Sequence, residues 1–546
     1  MKNSNSYKVI YLVYCFILFC AFDLASQDMT AKFDSIVGMV VEDENGPGFA
    51  VQISKDGKTI YQKAVGKANL ELDVDITNDH VFRIGSITKQ FTTAAILRLQ
   101  EEGKLTIQDD LTNYIPDYPT DGNKITVEHL MTHTSGIKSY TSMPEFRTKW
   151  MSSHMEPEEL IAVFKDEPMD FKTGEKEMYN NSAYILLGFI IEKVSGKTYE
   201  HYIETEFFEP LGMSSSSYEV AADIIPNRAY GYDANGGKYV NAPYLSMTLP
   251  YAAGSLLSTT DDLRKWNEAF FADKVVSTAS RKAIHTSAQT NDGEKTNYGY
   301  GWGLHDYKGS PRIGHSGGIN GFLSDSQYFP EEKILVTVLS NCNCNSATNL
   351  LKSLAATALG KPDIEPKASD LDLAFAKKYV GKYQLTPSLI LDVELDGDRM
   401  KVQPTNQSSV YLKPIGPHKF FIREISSELE FHPETDGSVK SLTLYQGGAH
   451  KAFKMDFKEV TLSATELKRY VGKFKTSEGM SINFRFADGI LYGEAMGSEA
   501  ALVPIGDHEF LTEKDAVRVI FEENADNGID NVIVYLGGEQ KAKRVK

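Results

Sequence analysis

The C-terminal third of the chain contains an internal repeat with a period of 90 or 91 residues. Three landmarks recur at this spacing: Tyr379-Val380-Gly381-Lys382 as Tyr470-Val471-Gly472-Lys473, Pro414-Ile415-Gly416 as Pro504-Ile505-Gly506, and Tyr445 with Gly447-Gly448 as Tyr535 with Gly537-Gly538. Matched landmarks at one spacing indicate two copies of a single structural unit. Each copy contains short β-type runs between Asp-Gly or Gly-Gly turns, which predicts a small antiparallel barrel, because closure removes edge strands. One continuous sheet of doubled hairpins is the alternative.

The sequence before the repeat has a different texture and predicts a separate domain. It alternates strand-like and helix-like runs, with hairpin turns at Lys55-Asp56-Gly57 and Pro330-Glu331-Glu332 and apolar helices over Ile87–Glu102 and Ser182–Val194. Residues 361–370 (KPDIEPKASD) hold two prolines and mixed charges without an apolar period, which is typical of a linker. We therefore expect an α+β domain at 27–360, a linker at 361–370, and barrels at 371–460 and 461–546.

The first 26 residues have the pattern of a signal peptide. Lys2 and Lys8 precede an apolar run over residues 9–22, which at 14 residues is shorter than the roughly 20 that a bilayer span requires. Small residues Ala25 and Ser26 offer a cleavage point before Gln27, so we expect export to the periplasm or the extracellular space. An uncleaved N-terminal anchor is the alternative. A lipid anchor on Cys20 is disfavoured because bulky Phe19 precedes it.

Charge and the scarcity of ligand clusters exclude several classes of function. The chain has 57 Lys and Arg against 74 Asp and Glu, a net charge of −17 that disfavours nucleic acid and anionic lipid as partners. His129 and His133 lack an accompanying carboxylate cluster, and Cys342 and Cys344 lack a nearby histidine, so we predict no metal site and no cofactor. One residue separates the two cysteines, which is poor geometry for a disulfide, so we expect none.

Two Ser-x-x-Lys sequences are candidates for a nucleophile and its base, because this spacing places both side chains on one helix face. Ser86 follows Gly85 at the start of an apolar helix, where a helix N-terminus favours negative charge. Lys89 lies one turn inside that helix, and burial there would lower its pKa. In the second sequence Ser135 is followed by Gly136 in a polar turn, so Lys138 is expected to be solvated. The context therefore favours Ser86 and Lys89.

Two further motifs carry groups that acyl transfer requires. Tyr179-Asn180-Asn181 precedes the second apolar helix, and it supplies a hydroxyl for proton relay and an amide for a substrate carbonyl. His315-Ser316-Gly317 is followed by Gly318 and a hairpin, so a substrate can lie against the flat backbone and leave an N–H for an oxyanion. Lys172-Thr173-Gly174 is a competing candidate for the motif at His315. It falls before Tyr179 and leads into no strand, so it is disfavoured. Tyr-x-Asn also occurs at residues 239–241, so that motif is weak by itself.

Five segments occur in an order that resembles the serine β-lactamase and penicillin-binding-protein family, in particular the class C β-lactamase-related hydrolases. They are FRIGSITKQFT (82–92), LMTHTSGI (130–137), YNNSAYILLGFIIEKVSG (179–196), EPLGM (209–213) and GHSGGINGF (314–322). The resemblance covers about residues 30–360. It implies an antiparallel sheet flanked by helices plus an all-helical lobe. The order of domains also resembles a D-aminopeptidase-like catalytic domain followed by two small lipocalin-like barrels.

The same resemblance implies the role of each motif residue. Ser86 would be the acylated nucleophile, Lys89 and Tyr179 would share acid and base work, and Asn181 would orient the substrate amide. His315, Ser316 and Gly317 would line the substrate site, and the backbone N–H groups of Ser86 and Gly318 would form the oxyanion hole. Tyr300 and Trp302 could wall the cleft or pack in the core.

We therefore expect an exported serine hydrolase that acts on a small-molecule or peptide substrate, as a D-amino-acid-specific peptidase or amidase, or as an esterase. A β-lactamase or DD-carboxypeptidase is the alternative, and a sensor that is acylated once without turnover is a further one. His315 stands where the family usually has a lysine. A neutral imidazole offers no fixed cation, so substrates with a carboxylate at this position become less favourable.

Overall fold

The computed structural model describes residues 29–545 except 41–42, 236–237, 345, 362–365, 387–388, 406–408, 424–426, 446–448, 456–459, 477–479, 496–497, 513–516, 525–526 and 536–538. The predicted signal peptide, four linker residues and the two repeated Gly-Gly pairs lie outside this part of the chain. The chain divides into two compact units, Met1–Asp363 and Ile364–Lys546, and each is described by itself. No helix among the described residues has the length and apolarity needed to span a membrane.

The first unit contains thirteen strands and eleven helices among its described residues. The strands are β1 (Phe49–Lys55), β2 (Lys58–Val65), β3 (Lys67–Asn69), β4 (Val74–Asp75), β5 (Phe82–Arg83), β6 (Ser217–Tyr218), β7 (Tyr232–Asn235), β8 (Lys238–Asn241), β9 (Leu256–Ser258), β10 (Gly303–Tyr307), β11 (Ser310–Ile319), β12 (Phe322–Phe329) and β13 (Ile334–Ser340). The helices are α1 (residues 29–40), α2 (Thr88–Glu101), α3 (Val127–Met131), α4 (Pro157–Phe164), α5 (Asn181–Ser195), α6 (Tyr199–Ile203), α7 (Glu209–Leu211), α8 (Tyr251–Gly254), α9 (Thr260–Phe271), α10 (Thr278–Ile284) and α11 (Ala347–Ala358).

A six-stranded antiparallel sheet with the order β10-β11-β12-β13-β1-β2 divides this unit into two cores. On one face, apolar residues of α1 and α11 pack against alternate residues of the central strands, such as Val51, Ile53 and Val336. On the other face, a larger core joins the sheet to α2 and α9 and continues into the helical layer around α5. Every central residue of β13 is buried, which explains its nearly continuous apolar sequence, ILVTVLS.

The two predicted apolar helices are α2 and α5, and together they place the candidate residues. Helix α2 follows a 3-10 turn, Gly85–Ile87, and is buried on nearly all sides. Helix α5 begins after Asn180, whose side chain accepts the N–H of Ala183, and it ends at Gly196 in the left-handed region with a φ of 72°. The helices pack against each other, so the turn before α2 and the start of α5 lie side by side.

The second unit contains two closed eight-stranded antiparallel barrels. Helix α12 (Leu373–Tyr379) precedes the first, which comprises β14 (Gly381–Thr386), β15 (Leu389–Asp396), β16 (Arg399–Pro404), β17 (Val410–Gly416), β18 (Lys419–Ile422), β19 (Ser427–Pro433), β20 (Val439–Tyr445) and β21 (Ala449–Lys454). Helix α13 (Ala464–Lys468) precedes the second, which comprises β22 (Gly472–Thr476), β23 (Ser481–Ala487), β24 (Ile490–Ala495), β25 (Ser498–Gly506), β26 (Glu509–Thr512), β27 (Arg518–Glu523), β28 (Ile529–Tyr535) and β29 (Glu539–Arg544).

The repeated landmark residues occupy matching positions in the two barrels. Tyr379 contacts Nδ1 of His418 at 2.6 Å in the first, and Tyr470 contacts Nδ1 of His508 at 2.9 Å in the second. Both barrel interiors are filled with aromatic and aliphatic side chains. The predicted fold, an α+β domain followed by two antiparallel barrels, is confirmed, and the alternative of one continuous sheet is wrong.

The expectation that Cys342 and Cys344 form no disulfide is also wrong. The two cysteines are bonded to each other, and their Cα atoms lie 5.1 Å apart. The chain turns directly after β13, and this turn brings the two Cα atoms within the range that a disulfide spans. Sequence separation alone did not reveal the turn.

Candidate active site

Ser86 lies in the 3-10 turn that precedes α2, where strand β11 passes very close to the backbone. Gly85 adopts a φ of +49°, a conformation that favours glycine. A Cβ on Gly317 would lie 2.1 Å from the carbonyl oxygen of Ile84 and 3.0 Å from the nitrogen of Ser86. Only a glycine therefore permits this approach, which places the Ser-Gly-Gly segment of β11 beside Ser86.

Lys89 is fully buried, and its amine faces three acceptors. Nζ lies 3.2 Å from Oγ of Ser86, 2.9 Å from Oδ1 of Asn181 and 2.9 Å from the carbonyl oxygen of Ala253. No carboxylate among the described residues pairs with it. Burial without a counter-charge lowers the pKa of Lys89 well below its ordinary value.

The three contacts determine where the lone pair of a neutral Lys89 points. The oxygens of Asn181 and Ala253 can only accept hydrogen bonds, so they take the two N–H groups of an uncharged amine. The lone pair of the nitrogen then points to the hydroxyl of Ser86, which can donate its hydrogen. A neutral Lys89 is thus oriented to accept the proton of Ser86.

Tyr179 lies over the same amine, and its side chain is 43% exposed. Nζ of Lys89 is 4.8 Å from the centre of the Tyr179 ring, and the phenol is hydrogen-bonded to Ser86. Desolvation raises the pKa of Tyr179, and the bond with Ser86 opposes this rise in part. The phenol therefore carries a proton near neutral pH and can donate it to a group beside Ser86.

Two residues outside the predicted motifs fix Asn181. Its Nδ2 donates to Oγ1 of Thr141 at 3.0 Å, and its backbone N–H donates to Oγ of Ser139 at 3.3 Å. These bonds hold Oδ1 towards Lys89 and leave one N–H of Nδ2 for a substrate carbonyl. Sequence reasoning missed Ser139 and Thr141, although both closely follow the Thr-Ser-Gly turn that it singled out.

His315 faces this site from β11 and is 8% exposed. Its Nδ1 contacts the carbonyl oxygen of Ser316 at 2.5 Å, and its Nε2 contacts the hydroxyl of Tyr298 at 2.9 Å. Burial and the nearby Lys89 lower the pKa of His315 to about 3. The ring is therefore neutral across the physiological range. Tyr298 was not predicted from the sequence.

The remaining predicted residues lie along the same strand. The side chain of Ser316 is exposed, whereas Gly317 is buried against Ser86. Gly318 lies so close to the Ser86 turn that a Cβ on Gly85 would be 3.1 Å from its nitrogen. The structure thus brings all the predicted site residues together around Ser86.

The competing motifs lie elsewhere or serve the fold. Lys138 pairs with Asp170 at 2.9 Å, while the backbone N–H of Ile137 donates to Oγ of Ser135. Gly174 is packed against Asn291 instead of the candidate site. Tyr300 and Trp302 belong to the buried core, so they do not wall the cleft. Within the described residues, no group of three potential metal ligands was found.

His133 is buried next to the candidate site, where its ring packs against the rings of Tyr179 and Tyr298. Its ring centre lies 4.4 Å from that of Tyr179 and 4.8 Å from that of Tyr298. Its Nδ1 accepts the backbone N–H of Asn180 at 3.1 Å, so the proton of the neutral ring resides on Nε2. His133 therefore supports the Tyr179–Asn181 segment, a role its turn motif alone did not reveal.

Comparison with known proteins agrees with this geometry. The β-lactamase family model matches residues 33–358. Penicillin-binding protein 4* of Bacillus subtilis is 29% identical over 425 residues, which cover 73% of this chain and 93% of that protein.

Two solved structures show the same resemblance. The octameric penicillin-binding protein homologue of Pyrococcus abyssi has a TM-score of 0.57 at 30% identity and covers 77% of this chain and 99% of its own. A D-stereospecific amidohydrolase of Streptomyces has a TM-score of 0.53 at 25% identity and covers 61% and 99%. Because the family model matches more than half of the sequence, the chain belongs to the β-lactamase family of hydrolases, as the five ordered motifs predicted.

Proposed function

We propose that this protein is a serine hydrolase that cleaves an amide or ester bond through an acyl-enzyme on Ser86. The observation that carries this proposal is the environment of Lys89. Its buried amine has two fixed acceptors, and its remaining direction faces the hydroxyl of Ser86. A base held in this way activates a hydroxyl nucleophile.

Acylation follows from the contacts around Ser86. Oγ attacks the substrate carbonyl carbon while its proton passes to Nζ of Lys89. The backbone N–H groups of Ser86 and Gly318 would stabilise the oxyanion. When the intermediate collapses, the bond to the leaving group breaks and the leaving nitrogen or oxygen takes a proton from Tyr179. The proton on Lys89 then passes to the oxygen of Tyr179 and restores the phenol, so that both groups regain their starting protonation states.

Deacylation uses the same groups in reverse order. Water attacks the acyl carbon and gives its proton to the oxygen of Tyr179, which at the same time passes its own proton to the neutral Lys89. The ester bond to Ser86 breaks, and Oγ recovers its proton. No cofactor is needed for these steps, because every proton moves between groups that already surround Ser86.

The substrate class follows from the uncharged surroundings of the site. His315 is neutral, so nothing at this position attracts a carboxylate in the way that a lysine would. We therefore favour D-amino-acid amides, short peptides or esters over penicillins and DD-peptides. A relative described as a D-stereospecific amidohydrolase supports this choice. Export to the periplasm or the extracellular space remains part of the proposal and rests on the N-terminal sequence.

The decisive experiment maps the acylated residue. Purified protein is treated with a fluorophosphonate, and the modified peptide is identified by mass spectrometry. We expect an adduct on Ser86 alone, and we expect Ser86→Ala to lose several orders of magnitude in ester turnover. Ser135→Ala is the matched control, since it changes the other Ser-x-x-Lys sequence. An adduct on Ser135, or full turnover by Ser86→Ala, would contradict the proposal.

The same preparation separates the alternatives. A chromogenic β-lactam, a D-amino-acid amide and a short-chain ester are compared for multiple turnovers. Efficient hydrolysis of the lactam would favour a β-lactamase. A stoichiometric adduct that persists without product release on every substrate would favour a sensor that is acylated only once.

A further inference from the structure

The two ring nitrogens of His315 have different partners, and these define its tautomer. Nδ1 faces the carbonyl oxygen of Ser316, which can only accept a hydrogen bond. In the neutral ring Nδ1 must therefore carry the hydrogen. Nε2 is left with its lone pair, and the hydroxyl of Tyr298 at 2.9 Å donates to it.

Two acceptors lie near the proton of Tyr298, Nε2 of His315 and the oxygen of Tyr184. The hydroxyl of Tyr184 lies within hydrogen-bond reach of Tyr298. However, Tyr184 donates to the carbonyl oxygen of Met131 at 2.8 Å and accepts the backbone N–H of Gly301. The Tyr184 oxygen therefore already accepts one hydrogen bond, whereas Nε2 of His315 has no other donor among the described residues. An imidazole nitrogen is also a more basic acceptor than a phenol oxygen, so we assign the proton of Tyr298 to Nε2.

The groups around His315 that can become charged are basic, and each acts against protonation of the ring. Lys89 on α2 and His305 on β10 face it, and His133 interacts with it from the loop after α3. The phenols of Tyr179 and Tyr298 complete its surroundings. Glu177 acts on Tyr298, and burial raises its own pKa, which weakens it as a counter-charge. None of the groups that act on His315 directly is a carboxylate.

The leaving group of the substrate must depart beside this histidine. In the proposed mechanism the leaving atom takes its proton from Tyr179. The ring of Tyr179 has its centre 6.1 Å from that of His315. The leaving-group end of the cleft is therefore the end that contains His315.

We propose that Tyr298 is a specificity-determining residue of this site. By donating to Nε2 of His315, it keeps that ring an uncharged acceptor, so no side-chain N–H of His315 is directed to a carboxylate on the leaving group. The site then selects uncharged leaving groups. This inference rests on the proposed hydrolase function and deepens it, because it explains how the substrate class is set by a residue outside the motifs.

The kinetic test compares two esters with the same acyl group. One has a neutral alcohol as its leaving group, and the other has a hydroxy acid, which retains a carboxylate. Tyr298→Phe frees Nε2, and the carboxylate of the bound acidic ester then supplies the counter-charge that the site lacks, so that Nε2 can take a proton and donate to it. We expect the ratio of kcat/KM for the acidic ester to that for the neutral ester to rise roughly tenfold at mildly acidic pH. The gain should shrink as pH rises, because the freed ring then loses its added proton.

The matched control is Tyr300→Phe, because the hydroxyl of Tyr300 bonds to Glu128 and not to His315. This variant should leave the ratio unchanged. A ratio for Tyr298→Phe that equals the wild-type ratio, or that changes as much in Tyr300→Phe, would overturn the proposal.

A spectroscopic test makes the proposal independent of turnover. In protein labelled with ¹⁵N-histidine, long-range ¹H–¹⁵N correlations report which nitrogen of each ring carries hydrogen. The signal of His315 is assigned among the 12 histidines by its loss in His315→Gln. We expect the hydrogen on Nδ1 in wild type, without titration between about pH 5 and 8. In Tyr298→Phe we expect a shifted Nε2 resonance, because that nitrogen loses its hydrogen bond.

The two tests distinguish failure of this inference from failure of the proposed function. A wild-type His315 with its hydrogen on Nε2, or with both nitrogens protonated at neutral pH, would refute the role of Tyr298. Absence of turnover on either ester would refute the hydrolase function. The wild-type NMR result would then still decide whether Nε2 of His315 is free to accept the proton of Tyr298, and this part of the test does not require Tyr298→Phe to fold.

Discussion

Replacing Gly317 by alanine tests the close approach between β11 and the turn that contains Ser86. The added Cβ would lie 2.1 Å from the carbonyl oxygen of Ile84, whereas real Cβ contacts are essentially never shorter than 3.0 Å. The strand must therefore retreat by at least 0.9 Å. Ser324 on β12 donates to the same carbonyl at 2.8 Å and resists this movement.

The displacement has separate costs for stability and for activity. Inserting one methyl group into a tight contact typically costs about 1–3 kcal/mol, out of about 5–15 kcal/mol of total stability, so the variant should fold. A shift of about 1 Å in the groups that position the reacting carbonyl costs on the order of 10²-fold in rate. We expect kcat for a short ester to fall by about 10²- to 10³-fold, as on loss of one oxyanion donor.

The assay combines steady-state kinetics with thermal unfolding. Gly38→Ala is the control, because Gly38 lies in α1 and a Cβ there meets nothing within 4 Å. That variant should keep wild-type kcat and gain up to about 1 kcal/mol, since alanine favours helix more than glycine does. A Gly317→Ala protein with at least a third of wild-type kcat would show that the approach of β11 does not determine activity.

Three further outcomes are expected. Activity should rise with pH as Lys89 loses its proton, because the neutral amine is the active form and its pKa is lowered. Lys89→Arg should be inactive at every pH, since a guanidinium group keeps its proton, and a normal kcat would refute Lys89 as the base. Thr141→Val should lower kcat about tenfold, because it removes the hydroxyl that holds the amide of Asn181. Thr141→Ser keeps that hydroxyl and should keep wild-type kcat. Equal kinetics of the two variants would contradict the positioning role of Thr141. A chain that ends near Pro366 keeps both cores of the first unit, so it should stay soluble and hydrolyse small esters. A change in its kcat/KM for bulky substrates, relative to the full chain, would assign the barrels a role in substrate access. Insolubility would refute independent folding of the first unit.

The sequence predicted the elements whose signals are local. The two apolar helices, predicted over Ile87–Glu102 and Ser182–Val194, follow from composition and turn residues within about 15 positions, and they agree with α2 and α5 to within one residue at each end. The barrels followed from the 90-residue repeat. By contrast, the disulfide between Cys342 and Cys344 depends on a turn after β13 that no local signal marked, so the sequence suggested the wrong outcome.

The partners of the motif residues could not be predicted in this way. The hydroxyl of Tyr298 contacts Nε2 of His315, which is 17 residues further along the chain. The amide of Asn181 contacts Thr141, which is 40 residues earlier. Both pairs depend on which side chains the fold brings together, and neither has a spacing that helix or strand periodicity would indicate. Their amino-acid types, an ordinary tyrosine and threonine, also carry no specific signal.

These partners matter because the chemistry of the site depends on protonation states more than on residue identity. Lys89 can act as a base only while it is neutral, and its burial without a carboxylate partner secures that state. His315 is neutral for the same physical reason and is further fixed by Tyr298. A carboxylate introduced near either group would favour its charged form, suppressing the base in one case and restoring a cation for acidic substrates in the other. In the proposed mechanism, the uncharged surroundings therefore control both the reactivity of Ser86 and the kind of leaving group that the site accepts.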